Sequence, residues 1–131
     1  MRFDAIMRLI PIFLLFLAGC AAAEGGPAES EADLTRELAG RTAGEPRDCV
    51  STSTGANLVP RGRQTLVYES GDTIWVNRLR AECPGMRELS QLIVEVNGSQ
   101  YCRGDRFRTR EPGTSIPGPI CVLDRFTPYR R

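Results

Sequence analysis

Histidine and lysine are both absent from this 131-residue chain. The lack of His removes the usual general base, the Ser-His and Cys-His nucleophile pairs and the commonest metal ligand. The lack of Lys leaves Arg as the only basic side chain, seventeen times over. Selection for bidentate anion contacts would leave that mark, and so would a GC-rich genome that favours arginine codons. No Cys-x-x-Cys pair occurs, which argues against a thioredoxin-type redox role. No apolar run is long enough to cross a bilayer. The run over residues 9–19 reaches roughly 16 Å as a helix, about half of a hydrocarbon core of roughly 30 Å.

Net charge is also scarce, at +1, but its distribution is uneven. Residues 21–47 hold three Arg and six acids, whereas residues 48–131 hold twelve Arg and nine acids. A balance so close to neutral gives no support to nucleic acid as a partner. No acidic run resembles a calcium loop. No spacing singles out a pair of carboxylates for glycoside hydrolysis, which needs them about 5 to 9.5 Å apart in a cleft. The sequence therefore points to no catalytic residue, no metal and no cofactor.

What the chain does contain begins with Arg2 and Arg8, followed by the short apolar run and then Leu17-Ala18-Gly19-Cys20. That tetrapeptide at the end of an apolar core resembles a bacterial lipobox. The resemblance implies a cleaved signal over residues 1–19, a lipidated Cys20 and a protein exported to the periplasmic side of the envelope. Two or more acyl chains give a stable membrane anchor where one gives a reversible one. Ala21 follows the cysteine where inner-membrane retention signals resemble Asp, so by that analogy the destination is the outer membrane. A plain secretory signal cut near Ala23 is the alternative.

Residues 20–47 read as a flexible acidic linker, since residues 21–47 hold no aromatic residue and many Ala, Gly and Glu. Ser30 with Asp33 resembles a capping box ahead of Leu34 and Leu38, with Gly40 to end the turn. A helix that short is marginal alone. As a coil the linker would reach roughly 30 Å, which would hold the head clear of the lipid.

Residues 48–131 read as a small all-β domain, a barrel or sandwich of about six to seven short antiparallel strands. Residues 64–69 and 73–79 form a hairpin about Ser70-Gly71-Asp72. Residues 91–96 alternate, with Leu92, Val94 and Val96 on one face. Asn97-Gly98 tolerates positive φ and predicts a second hairpin with residues 99–103. Residues 105–110 and 120–126 are further strands, residues 111–119 a Pro- and Gly-rich loop, and residues 84–89 hint at a helical turn. The expected core is Leu66, Tyr68, Trp75, Leu79, Phe107, Leu123 and Phe126.

With Cys20 set aside, Cys49, Cys83, Cys102 and Cys121 make an even set, which in a small exported domain implies two disulfides. Of the three possible pairings, Cys49–Cys121 would join the first and last strands of a closing sheet. Cys83–Cys102 would then span the Asn97-Gly98 hairpin.

Several residues in order look familiar. These are Asp48-Cys49-Val50-Ser51, then Trp75, Asn77 and Leu79 ahead of Cys83-Pro84-Gly85-Met86, then Tyr101-Cys102 with Gly104-Asp105, then Cys121, Leu123, Phe126 and Pro128. Together they resemble a family of small secreted bacterial proteins of unknown function. The likeness implies an exported, cysteine-bearing β-module and says nothing about chemistry.

Two sets of residues could bind a ligand. Arg106, Arg108 and Arg110 alternate and so share a strand face, either as a strip for an anion or as charge that protects an edge strand from pairing. Trp75 and Asn77 could stack on and hydrogen-bond to a sugar, or could be a buried ring beside a satisfied amide. Gly104-Asp105 after Cys102 reads as a tight turn whose Asp satisfies backbone amides. The function expected from all this is a non-enzymatic envelope lipoprotein whose β-module binds an envelope protein or glycan or serves envelope structure. Its alternatives are an inhibitor of host wall-degrading enzymes and a small wall hydrolase.

Overall fold

The computed structural model describes residues 26–53 and 56–131. Its elements run α1 (Pro27–Glu37), β1 (Thr42–Ala43), β2 (Cys49–Ser51), β3 (Val59–Pro60), β4 (Thr65–Ser70) and β5 (Thr73–Arg78). β6 (Gln91–Val94), β7 (Gln100–Cys102), β8 (Arg106–Arg110), β9 (Ile120–Val122) and β10 (Phe126–Arg130) complete the chain. The all-β class and the two disulfides are as expected. Among the described residues the strands are ten and not six or seven, and they form three antiparallel sheets with no closed barrel: β1-β10-β5-β4-β3, β2-β7 and β6-β8-β9.

The β4–β5 hairpin forms where the sequence places it. Ser70 pairs with Thr73, so Gly71 and Asp72 make a two-residue turn. Gly71 takes the first central position with φ +58°, which suits a II′ turn and the right-handed twist of its strands. Alternation then divides the hairpin into two apolar faces. Leu66, Tyr68 and Trp75 point inward and meet Val50, Phe107, Leu123 and Phe126 from the other strands. All seven expected core residues are buried there.

Val67, Ile74 and Val76 occupy the opposite face of the same hairpin. A sheet with two apolar faces needs a cover on each, and α1 is the second cover. Leu34, only 1% exposed, and Leu38 pack on Val67, Ile74, Val76 and Tyr129. Pro27 at the first helical position has a φ already suited to a helix, and the Gly26 N–H donates to Glu29 Oε2 at 3.2 Å. Two ion pairs fasten the helix to the sheet, Arg61–Glu37 at 3.0 Å and Arg78–Glu31 at 3.0 Å. The hydrogen bond from Arg78 lowers the Glu31 pKa against a smaller opposing effect of desolvation.

The flexible linker over residues 20–47 is thus corrected for every described residue in it. Residues 26–47 are part of the folded body: α1 packs on the sheet, β1 pairs with β10, and Arg47 bridges to Phe126. The helix also starts before Ser30, at Pro27. A short helix that is marginal in water becomes stable when an apolar face is buried. The helical turn expected over residues 84–89 is not helical; it is a pair of turns held by Met86 N–H to Cys83 O at 3.1 Å and Ser90 N–H to Arg87 O at 3.0 Å.

The Asn97-Gly98 hairpin is also corrected. β6 pairs with β8 and β7 with β2, so Asn97-Gly98 connects two sheets and does not join neighbouring strands. The disulfide pairing changes with it, to Cys49–Cys102 and Cys83–Cys121. Cys49 and Cys102 stand directly opposite on β2 and β7, with Cα atoms 4.1 Å apart. Ladder bonds on either side, Arg103 N–H to Asp48 O and Thr52 N–H to Ser99 O, place them at a non-hydrogen-bonded position, where cross-strand side chains are closest. Cys83–Cys121 ties the segment after β5 to β9 inside the core.

The chain changes sheets once more between β9 and β10. Asn77 holds that crossing: its Nδ2 donates to Asp124 O at 2.7 Å, and its Oδ1 accepts from Asp124 N–H at 3.0 Å. The Cys-x-Gly-Asp turn forms as expected, with Gly104 at φ +91° and the Cys102 N–H donating to Asp105 Oδ2 at 2.7 Å.

Candidate functional site

β8 is the middle strand of its sheet, between β6 and β9. Arg106, Arg108 and Arg110 do share a face, but the edge-strand reading is corrected, because both sides of β8 are already paired. Phe107 and Thr109 turn inward and are buried, which leaves the arginines on the outer face. Register sets Ile93 and Ile120 on either side of Arg108, Val122 beside Arg106 and Gln91 beside Arg110. Ile93, Ile120 and Val122 are each about half exposed, at 47%, 47% and 50%.

The three cations differ in their partners. Arg106 pairs with Glu95 at 3.1 Å. Arg108 donates to the Gly118 carbonyl at 3.3 Å, and Arg110 donates to Gln91 Oε1 through Nη2 at 2.6 Å and Nε at 3.2 Å. Among the described residues, neither Arg108 nor Arg110 has a carboxylate partner. Neutral acceptors hold these two guanidiniums in place without cancelling their charge, so both can still contact an anion. The arginine alternation was legible in the sequence, but the aliphatic border was not. Its one local signal was Ile93, an apolar residue on the polar side of an alternating strand.

Trp75 and Asn77 are not a ligand surface, being 8% and 0% exposed. Trp75 lies in the core with the Arg47 guanidinium 5.8 Å from its ring centroid, a cation–π distance. Asn77 is saturated by its two bonds to Asp124. A ring and an amide at i and i+2 of a strand share a face, and here that face is the interior.

A cleft of about 380 Å³ beside β9 is lined by Arg80, Glu82, Arg103, Val122 and Asp124 among others. Asp124 sits between Arg80 at 3.2 Å and Arg103 at 3.4 Å. Desolvation pushes its pKa up, but the Arg125 backbone N–H and the two guanidiniums outweigh this and hold the carboxyl below its usual value. A carboxylate kept ionised in this way is unsuited to act as a general acid. Glu82, the other acid of the cleft, is 3.9 Å from Arg63. No group of three or more His, Cys, Asp or Glu among the described residues could hold a metal ion. Nothing in the described residues positively marks an enzyme.

The Asp124 cluster has a pH signature. A carboxyl whose folded pKa is depressed stabilises the fold fully above its unfolded value and loses that contribution as pH falls through the folded value. Asp124→Asn should therefore be less stable than wild type near neutral pH, and the gap should narrow below about pH 4. Urea denaturation across that range measures it. A gap of constant size would show that the charge of Asp124 contributes nothing.

Cys20, the residues 1–19 before it and residues 21–25 lie outside the described residues. No helix among the described residues is long and apolar enough to cross a membrane. Comparison of the chain with protein-family models, with curated proteins and with solved structures finds no match in any of the three.

Proposed function

We propose that this chain is a non-enzymatic binding module of the bacterial cell envelope. Residues 1–19 export it, lipid on Cys20 holds it on the periplasmic side of the outer membrane, and its folded body meets an anionic envelope component. The two disulfides support an oxidising compartment. The observation that carries the reading is the outer face of β6-β8-β9. Two guanidiniums with no carboxylate partner among the described residues lie there beside three half-exposed aliphatic side chains. Such a face suits a partner that offers phosphate or carboxylate groups together with apolar contacts, whether glycan or protein.

Two measurements test this. Cys20→Ala should move the protein from the membrane fraction to the soluble periplasm; retention in the membrane would remove the anchor. Arg108→Gln with Arg110→Gln should weaken binding of the Cys20→Ala protein to isolated envelopes about a hundredfold or more, taking roughly 1.5 kcal/mol or more for each of two charge-assisted contacts. The wild-type interaction should also weaken as salt is raised. Equal binding by the double variant at low salt would reject the arginine face as the contact.

A further inference from the structure

The folding of residues 26–47 into the body shortens the distance between the proposed anchor and the head. Only five residues, six chain steps in all, then separate Cys20 from Gly26, where the described chain begins. Fully extended they span at most about 20 Å. That is less than the width of a domain of about 100 residues, whose radius of gyration is about 13 Å. The start of α1 must therefore lie close to the bilayer, and the part of the body beside it must face lipid.

The structure identifies that part. Ser30, in the first turn of α1, donates to Glu88 Oε1 at 3.4 Å. Glu88 belongs to the turns that lead into β6, and the next residue, Leu89, is 81% exposed. Ser90 in turn donates to Glu111 Oε1 at 3.1 Å, which ties these turns to the loop over residues 111–119. That loop carries Ile116, 80% exposed. These are the two most exposed large aliphatic side chains among the described residues, and both lie on loops at the end of the body where the tether enters. Arg110 closes β8 at this end, opposite Gln91, with no carboxylate partner among the described residues. Glu88 and Glu111 are at the same end, but each is hydrogen-bonded inward to a serine.

We infer that the two loops carrying Leu89 and Ile116 rest in the headgroup region of the anionic membrane that holds the anchor, with Arg110 at the level of the lipid phosphates. Exposed aliphatic side chains beside a cation are the pattern of interfacial attachment, in which apolar groups enter about 5–10 Å while Arg stays among phosphates. β6 and β8 then rise away from the bilayer and present Arg108 with its aliphatic border sideways into the periplasm. This orientation rests on the lipid anchor at Cys20, since a free head has no reason to keep one end down.

The test uses the acylated full chain in vesicles of phosphatidylethanolamine and phosphatidylglycerol with brominated acyl chains. Leu89→Trp and Ile116→Trp each add an exposed reporter to the buried Trp75, and Val96→Trp adds one at the far end of β6. Because positions 89, 116 and 96 are already exposed, the variants are expected to fold. Emission added at positions 89 and 116 should shift to the blue and be largely quenched by the brominated lipid, while emission added at 96 should be unaffected. Quenching at 96 equal to that at 89 and 116 would overturn the orientation, as would quenching at none of the three. Intact mass of the reconstituted protein separates the two failures. Acylated Cys20 with unquenched reporters removes only the orientation, whereas a bare Cys20 in native material removes the anchor and the orientation together.

Discussion

Cys83→Ala together with Cys121→Ala should lower the unfolding free energy by about 4 kcal/mol. The bridge closes a loop of sequence separation 38, and the chain-entropy relation assigns a loop of that length about 4 kcal/mol at 25 °C. A single small domain has only about 5–15 kcal/mol in all, so the double variant should unfold at far lower denaturant. Cys83 is also fully buried in the main core, and two shortened side chains leave less packing there. The separation of 53 for Cys49–Cys102 gives a similar entropic contribution of about 4 kcal/mol. Its sulfurs belong to half-buried residues on the smallest sheet, so a mild reductant should open that bridge first. Guanidinium titrations of wild type and the double variant under non-reducing conditions measure the first effect. Peptide mapping without reduction checks the pairing itself. Peptides linked 49 to 121 and 83 to 102 would contradict the structure, and equal stability of the double variant would show the core bridge to be idle.

The second large effect lies in what the sequence presents as a tether. Leu34→Ala should cost about 2–5 kcal/mol, the range for removing a buried leucine side chain whose cavity does not collapse. Leu34 is the centre of the contact between α1 and the outer face of β4 and β5, so its loss weakens the cover over Val67, Ile74 and Val76. A residue in a solvated spacer would show no such effect, its expected change lying within about 0.5 kcal/mol. Urea midpoints decide between the two, provided the slope of the transition is unchanged, because a changed slope would mean a changed unfolded or native surface. A midpoint equal to wild type would restore the spacer reading of residues 26–47. It would also remove the short tether on which the membrane orientation depends.

These two sites show where reading the sequence succeeds and where it stops. Trp75 and Leu66 were legible as core because alternation in a strand is a local property with a period of two. The β4–β5 turn was legible because a glycine at its first central position selects the turn type. Arg106, Arg108 and Arg110 were legible as one face for the same reason as the core. The partner of each strand was not. Asn97-Gly98 satisfies the local chemistry of a hairpin, yet β7 gains more by pairing with β2, a contact between residues about fifty apart that no local signal encodes. The cysteine pairing followed the strand pairing and shared its error. The fate of α1 was half visible: the shared face of Leu34 and Leu38 was legible, but the Val67, Ile74 and Val76 surface it covers lies about thirty residues further along the chain.

The sequence by itself determined the seven side chains at the centre of the core, where the first hairpin turns, that the four cysteines after Cys20 pair among themselves and that three arginines share a surface. Only the tertiary structure decided which cysteine meets which, that β8 runs through the middle of a sheet, that Asn77 is buried against Asp124, and that residues 26–47 belong to the body. The division has one physical cause. Backbone geometry and side-chain alternation act over two to four residues. Sheet partners, covers and disulfides are chosen by the burial of apolar surface between segments far apart in the chain, and that is a property of the assembled fold.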